Sequence, residues 1–482
     1  MSPQTQDDDL CALSATEMVA AVRAKEVSPV ELTEAVLERI DRLNPVVNAV
    51  VTVTAEQART TARAAEQAVM RGGTLGTVHG VPFTIKDLTE TKGIRTTFGS
   101  KIFADHVPEE DAVLVERLRN AGGVLTGKTN TPQLGCKGVT DNLVFGTTLN
   151  PWDLSRTPGG SSGGASAAVA CGMGPFAEGT DFAGSIRIPA SFCGLVGLKP
   201  SEGRVPIYPN TMIWHPITDN HGPITRTVAD AALMLDVMAG PDDRDPRSLG
   251  DSPNFAAVVT GDLSLTGTRV AWLDDLGFVP VDPVVRSICL QALGEFERLG
   301  CAVESVTTDF GDSIEAYSLL NANRRGALID PYLPDRAADV DPLMIFRAEL
   351  GRRKSATDAA SAEMVQAAIY QRVRALFDRH DLLMLPTTPT TAFPIGVDYP
   401  ATIAGRPVPT PFHQLGLTYL FNMTGHPAIS IPAGWTAEGL PVGLQIVGPW
   451  RDDAAVLRAA AAFEQAAPWR PRWPDLDALS RQ

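Results

Sequence analysis

Eleven of the chain's 42 glycines fall between Thr157 and Gly203, and residues 158–177 carry no charged side chain. That density constrains the fold more than any other feature. Glycine has no Cβ, so such a stretch brings backbone close to backbone or to a ligand, and it disfavours long regular helix. It is also too rich in Gly and Ser to cross a bilayer. The pattern predicts a small-residue helix over 165–171 and a second short helix over 186–192, flanked by buried strands at 175–179 and 195–198.

Around this region the residues alternate between helix and strand signals. Ser14 with Glu17, and Ser28 with Pro29 and Glu31, are capping-box starts, and a third helix over 55–70 ends at Gly72 and Gly73. From His79 onward short apolar runs are separated by helices, the grammar of an α/β fold. Strands are expected at 81–85, 124–126, 269–273, 382–385, 428–432 and 442–447. Helices are expected at 111–120, 227–240, 283–299, 356–380 and 452–466. A length of 482 residues suggests two to four domains at roughly 150 residues each. The Asp- and Pro-rich segment 241–253 is the best linker candidate, yet the α/β alternation continues past it.

Charge and cysteine content exclude several function classes. With 41 Lys+Arg against 56 Asp+Glu the net charge is -15, and no basic cluster offsets it, so nucleic acid is not an expected partner. The six cysteines are scattered, with no C-x-x-C pair and no His at zinc-ligand spacing, which reads as buried thiols in a reducing compartment and no metal. The N-terminus carries Asp7, Asp8 and Asp9 where an export signal needs positive charge and an apolar core. A cytoplasmic protein with no membrane partner is expected.

Three motifs compete for the chemistry. Residues 122–129, from Gly122 to Lys128 and Thr129, match the phosphate-loop pattern G-x-x-x-x-G-K-[ST] and by themselves suggest a nucleotide-binding protein. A phosphate loop needs a strand before it and a helix after it, however. Here a helix precedes, the strand lies inside the motif, and Asn130, Thr131 and Pro132 interrupt the helix that should start after Thr129. The second motif, Gly159, Gly160, Ser161, Ser162 and Gly163, fits the nucleophile elbow G-x-S-x-G, but no apolar strand runs into the serine.

The third is the whole glycine-rich region, P-G-G-S-S-G-G-A-S-A-A-V-A-C-G-M-G-P-F-A-E-G-T-D-F-A-G-S-I-R-I-P and onward to Pro206. It is accompanied by V-P-F-T-I-K-D at 81–87, G-K-T-N-T-P at 127–132, G-V-T-D-N at 138–142, N-P-W-D at 150–153, G-P-I-T-R-T-V-A-D at 222–230 and P-V-G-L-Q-I-V-G at 441–448. In these segments, which span most of the chain, the sequence closely resembles the amidase signature family of serine hydrolases. The resemblance implies one large α/β domain over 1–482, with a mixed central sheet covered by helices on both faces. Its parts would be N-terminal helices at 14–71, a signature core at 79–206 and a C-terminal half at 222–470.

The residues themselves make sense as a serine-nucleophile site. Ser185 follows Phe182, Ala183 and Gly184 and precedes a short helix, so the N–H groups of these four residues converge as a candidate oxyanion hole. A serine needs a base. In the family that the chain resembles, a lysine acts through a second serine held in a cis peptide. The matching positions are Lys86 and Ser161. Lys86 must then be neutral, which requires burial, and the alternation of a strand turns Asp87 away from it. The bland readings are a surface lysine at a strand end and serines that merely cap helices.

Asp181 and Arg187 are expected to form a buried ion pair that fixes the loop. Ala183 stands where the family most often has glycine, which bears on substrate scope and not on reaction type. Tyr208, Met212, Ile213, Trp214 and His215, together with Cys136, are the candidate pocket wall, and they suggest an apolar or aromatic substrate. The implied activity is cofactor-free hydrolysis of aryl or aliphatic amides through a Ser185 acyl-enzyme, extending to esters and to carbamates such as urethanes, by a monomer or homodimer. The alternatives are the glutamine-hydrolysing subunit of a tRNA-linked amidotransferase and the nucleotide-binding protein of residues 122–129.

Overall fold

The structure, a computed structural model, describes residues 10–481, so Asp7, Asp8 and Asp9 lie outside the described residues. Ser14 and Ser28 each complete a capping box, and the helices Ala15–Ala24 and Pro29–Val47 start at them as expected. The helix Ala55–Arg71 ends on Gly72 in the left-handed conformation.

Two short two-stranded ribbons, Asp141–Asn142 with Gly146–Thr147 and Thr402–Ile403 with Arg406–Pro407, stand apart, and the other strands form one 11-stranded sheet. In chain order they are β1 (Val50–Val53), β2 (Pro82–Lys86), β3 (Val124–Thr129), β4 (Phe176–Asp181), β5 (Val196–Lys199), β6 (Asn220–Thr225), β7 (Arg269–Trp272), β8 (Ala302–Ser305), β9 (Leu382–Pro386), β10 (Ala428–Trp435) and β11 (Pro441–Val447). Their order across the sheet is β1-β3-β2-β4-β6-β5-β10-β11-β9-β7-β8. Pairing is parallel around β2 and β7 and antiparallel from β4 to β9, so the sheet is mixed. Every residue of β2, β3, β4, β6, β9 and β11 is buried. Since alternate side chains point to opposite faces, both faces are covered.

Three strands, β1, β6 and β8, have no counterpart in the sequence expectation, the first two for a local reason. β6 reads N-H-G-P-I-T, and its Gly222 and Pro223 are turn residues in most contexts. It is nevertheless a central strand, with Pro223 opposite Glu178. β1 is short and only partly buried, and it is recruited antiparallel to β3 at the edge. The segment 241–253 is a loop between the helices Val228–Met238 and Phe255–Thr260, and the sheet continues past it.

The glycine-rich region wraps the centre of the sheet. Its first helix, Gly163–Ala170, is buried along its whole length. A Cβ on Gly164 would fall on the backbone of Asn130, so only glycine lets the helix start this close to the segment after β3. The next loop joins β4 to the helix Arg187–Cys193, and Ser185 sits in it. No helix among the described residues is long and apolar enough to cross a membrane.

Candidate active site

Lys86 is the last residue of β2, and its side chain is fully buried. Its Nζ lies within hydrogen-bond distance of three hydroxyls: Ser161 Oγ at 2.7 Å, Ser162 Oγ at 2.8 Å and Thr180 Oγ1 at 2.8 Å. No carboxylate is in ion-pair contact with it among the described residues. Burial pulls its pKa down to about 7, although Glu178, Asp219 and Asp181 at longer range favour the charged form. Asp87 turns the other way and accepts from the hydroxyl of Thr97 at 2.5 Å.

The peptide bond between Gly160 and Ser161 is cis. A Cβ on Gly160 would lie 2.5 Å from the carbonyl oxygen of Val139, so this position too is shaped by close backbone approach. Ser162 occupies the N-cap of the helix Gly163–Ala170 without making a side-chain cap. Its hydroxyl takes the Lys86 bond and points on to the carbonyl of Thr180 at 3.3 Å. Capping therefore does not account for either serine.

Ser185 is 6% exposed, and its carbonyl accepts from Ser162 N–H at 3.1 Å, which ties the two serine-bearing loops together. The loop is fixed by Asp181. That carboxylate is fully buried and accepts from Arg187 Nη2 at 2.8 Å, Asn422 Nδ2 at 2.8 Å, Gly184 N–H at 2.7 Å and Ile186 N–H at 3.1 Å. Burial alone would raise the Asp181 carboxyl, but the Arg187 charge and these bonds hold it well below the usual carboxylate range. A pair of charges with its remaining positions satisfied in this way tolerates burial.

Asp181 also corrects the expected oxyanion hole. Gly184 N–H is committed to the carboxylate, whereas the N–H groups of Phe182, Ala183 and Ser185 donate to no protein acceptor among the described residues. The positive φ, 106°, falls on Gly184 and not on Ala183. Alanine is therefore accepted at the position where the backbone does not require glycine.

Ser161, Thr180 and Ser185 border a cavity of about 460 Å³. Its wall differs from the sequence expectation. None of Tyr208, Met212, Ile213, Trp214 and His215 lines it; the backbone neighbours Ile207, Pro209, Asn210 and Thr211 do. Tyr208 turns its hydroxyl to Glu110, Trp214 is 73% exposed, and His215 packs behind Phe182 and bonds the carbonyl of Ile217. The chain turns at Asn210, whose side chain accepts from Met212 N–H at 2.7 Å, and this carries the following side chains away from the cavity. Cys136 faces a separate space of about 20 Å³ that also touches Ala183 and Ser185, and burial pushes its thiol up to about 12.

The aromatic and apolar wall comes instead from Leu88, Phe98, Phe103, Phe182, Leu328 and Tyr332, with His221, Arg324 and Arg325 as polar members. Phe103 stands edge-on to Phe98 and to Tyr332, at 5.3 and 5.6 Å between ring centroids. Of the cavity residues outside the serines, Phe182 was named from the sequence for its backbone N–H alone, and Thr180 could have been found from its place at the end of β4 just ahead of the Ser185 loop.

The phosphate-loop motif has a different use. Gly127, Lys128 and Thr129 lie within β3, and Lys128 is fully buried, donating to Thr89 O at 2.5 Å, Thr91 Oγ1 at 2.7 Å and Thr96 Oγ1 at 2.9 Å. The lysine that would bind phosphate is spent inside the protein, so the nucleotide-binding expectation is withdrawn. As the sequence indicated, Ser161 is not at a nucleophile elbow, because no strand runs into it.

The family profile described as Amidase matches residues 31–457. The chain is 42% identical to an acylamidase of Rhodococcus erythropolis, over 97% of this chain and 98% of that one. It is 37% identical to a glutamyl-tRNA(Gln) amidotransferase subunit of Moorella thermoacetica, over 97% and 99%. A crystal structure of a bacterial aryl acylamidase of the amidase signature family superposes with a TM-score of 0.91 at 32% identity, covering 98% of this chain and 99% of that one.

Proposed function

Since the chain belongs to the amidase signature family, we propose that it is an amidase that cleaves the C–N bond of apolar or aryl amides through an acyl-enzyme on Ser185. The observation that carries this reading is the buried Lys86 amine, held by Ser161, Ser162 and Thr180 and by no carboxylate. A neutral amine in that position is a base for a serine hydroxyl.

Ser185 Oγ attacks the substrate carbonyl while its proton passes to Ser161 Oγ, and the Ser161 proton passes to Lys86 Nζ. The resulting oxyanion is met by free N–H groups of the Phe182–Ser185 loop, each such donor contributing roughly 3 kcal/mol. Collapse breaks the C–N bond, and the amine leaves with the proton returned from Lys86 through Ser161. Water then repeats the sequence on the acyl-enzyme, releases the acid and restores Ser185. Serine, lysine and water balance every step, so the reading calls for no cofactor.

Esters and carbamates pass through the same tetrahedral oxyanion and belong to the proposed scope. The aromatic wall of Phe98, Phe103 and Tyr332 favours an aryl or apolar group on the substrate over a small zwitterion such as glutamine. The relationship to an amidotransferase keeps glutamine hydrolysis as the second reading. The six cysteines, all buried and none in a disulfide, fit a reducing cytoplasm, and one catalytic domain acting as a monomer or homodimer completes the reading.

Purified protein is expected to hydrolyse an acyl anilide, a matched aryl ester and an aryl carbamate, with glutamine turnover at least about 100-fold lower in kcat/KM. Release of ammonia from glutamine without anilide turnover would transfer the assignment to the second reading.

A further inference from the structure

His221 lies on β6 directly opposite Thr180 on β4. Residues opposite each other in an antiparallel pair project to one face, so the imidazole shares the face on which Thr180 holds Lys86. The ring is about nine-tenths buried, borders the large cavity together with Ser161 and Ser185, and takes part in none of the steps above.

Glu178 fixes its orientation. His221 Nδ1 lies 2.7 Å from Glu178 Oε1, while Glu178 Oε2 accepts from Lys86 N–H at 3.0 Å and from the Thr89 hydroxyl at 3.1 Å. Both Glu178 oxygens accept, from the Lys86 N–H and the Thr89 hydroxyl as well as facing His221, as an ionised carboxylate does. An ionised carboxylate only accepts, so the hydrogen must sit on Nδ1. In the neutral ring Nε2 is then a bare acceptor, and no protein donor reaches it among the described residues. The nearby cavity charges are engaged elsewhere: Asp219 pairs with Arg324, and Glu90 with His106.

We propose that His221, oriented by Glu178, is a specificity residue that accepts a hydrogen bond from the N–H of an amide substrate and so favours amides over matching esters. The inference rests on the amidase reading of this site. A secondary amide has one N–H to give, whereas an ester presents an oxygen lone pair to the Nε2 lone pair, and a tertiary amide presents an alkyl group. Holding the N–H also leaves the developing nitrogen lone pair free for the proton that returns through Ser161.

The test compares kcat/KM for 4-nitroacetanilide, its N-methyl analogue and 4-nitrophenyl acetate in wild type, His221→Phe, His221→Gln and Glu178→Gln. His221→Phe removes the acceptor and is expected to lower the anilide-to-ester ratio about tenfold, while His221→Gln restores part of it. Glu178→Gln gives a second route that leaves the ring in place. The Lys86 N–H requires the amide oxygen on its side, so the amide nitrogen donates to Nδ1 and forces the hydrogen onto Nε2. The same ratio should fall. An unchanged ratio in the folded variants, or a wild type that handles the N-methyl analogue as well as the anilide, would overturn the proposal. A wild type inert toward anilide and ester alike would overturn the amidase reading itself, and this inference with it.

Discussion

Replacing Ser185 with alanine is expected to lower kcat for an acyl anilide by on the order of 10⁴–10⁶, with little change in KM. In the proposed scheme this hydroxyl forms the covalent bond, so no neighbouring group can substitute for it by small movements. Ser161 and Ser162 are held by Lys86 at 2.7 and 2.8 Å, and Thr180 is held by the same amine. The fold should be unaffected, because the Ser185 hydroxyl makes no hydrogen bond to the protein among the described residues and the loop is fixed by Asp181 and Arg187. Ser161→Ala interrupts proton transfer but leaves the nucleophile, so a smaller loss of about 10²–10⁴ is expected, as for general acid–base groups. Steady-state kinetics with circular dichroism on both variants checks the ordering. A Ser185→Ala protein with full activity would remove the nucleophile from the scheme.

Lys86→Met is expected to cost about 10²–10⁴ in kcat, since methionine keeps most of the unbranched apolar stem but accepts no proton. The wild-type pH profile should carry the mark of the same group. Only the neutral amine is a base, and burial sets its pKa at about 7. The rate should therefore fall tenfold per pH unit below about 7 and level off above it, and this limb should vanish from the residual activity of Lys86→Met. Two other buried lysines have depressed values, Lys128 at about 8 and Lys199 at about 7, both through burial. Their amines are bonded to Thr89, Thr91 and Thr96 and to Pro200 respectively, and neither borders the cavity. Lys128→Met should consequently keep the limb that Lys86→Met loses.

Residues that act through the backbone around them were legible in the sequence. The glycines of 157–203 announced close approach, and the structure realises it at Gly160 and Gly164. Apolar runs located β2, β3, β9 and β11 to within a few residues, because a strand buried on both faces is mostly apolar; β3 was read short because its buried end, Gly127 to Thr129, is not. The Asp181–Arg187 pair was expected from its place beside Ser185, and it forms. The cavity wall was not legible. Leu328 and Arg325 lie on the helix Ser313–Ile329, far from the glycine-rich region in sequence, and only the tertiary fold brings them to the cavity that Ser185 borders. The aromatic run after Tyr208 looked like a wall because it was near in sequence, yet the turn at Asn210 sends it elsewhere. β6 was missed because Gly222-Pro223 reads as a turn, and with it His221 lost the context that gives it meaning. Lys128 shows the converse, a motif match without the strand-loop-helix geometry that would let its lysine reach a phosphate.

The central claim, that Ser185 carries the acyl group, is tested most directly by quenching turnover of a slowly released 4-nitrophenyl carbamate and mapping the adduct by peptide mass spectrometry. The expected result is a burst of 4-nitrophenol of at most one equivalent and a single carbamoyl group on Ser185, absent from Ser185→Ala. An adduct on Ser161 or Cys136 instead, or a burst that survives in Ser185→Ala, would contradict the account.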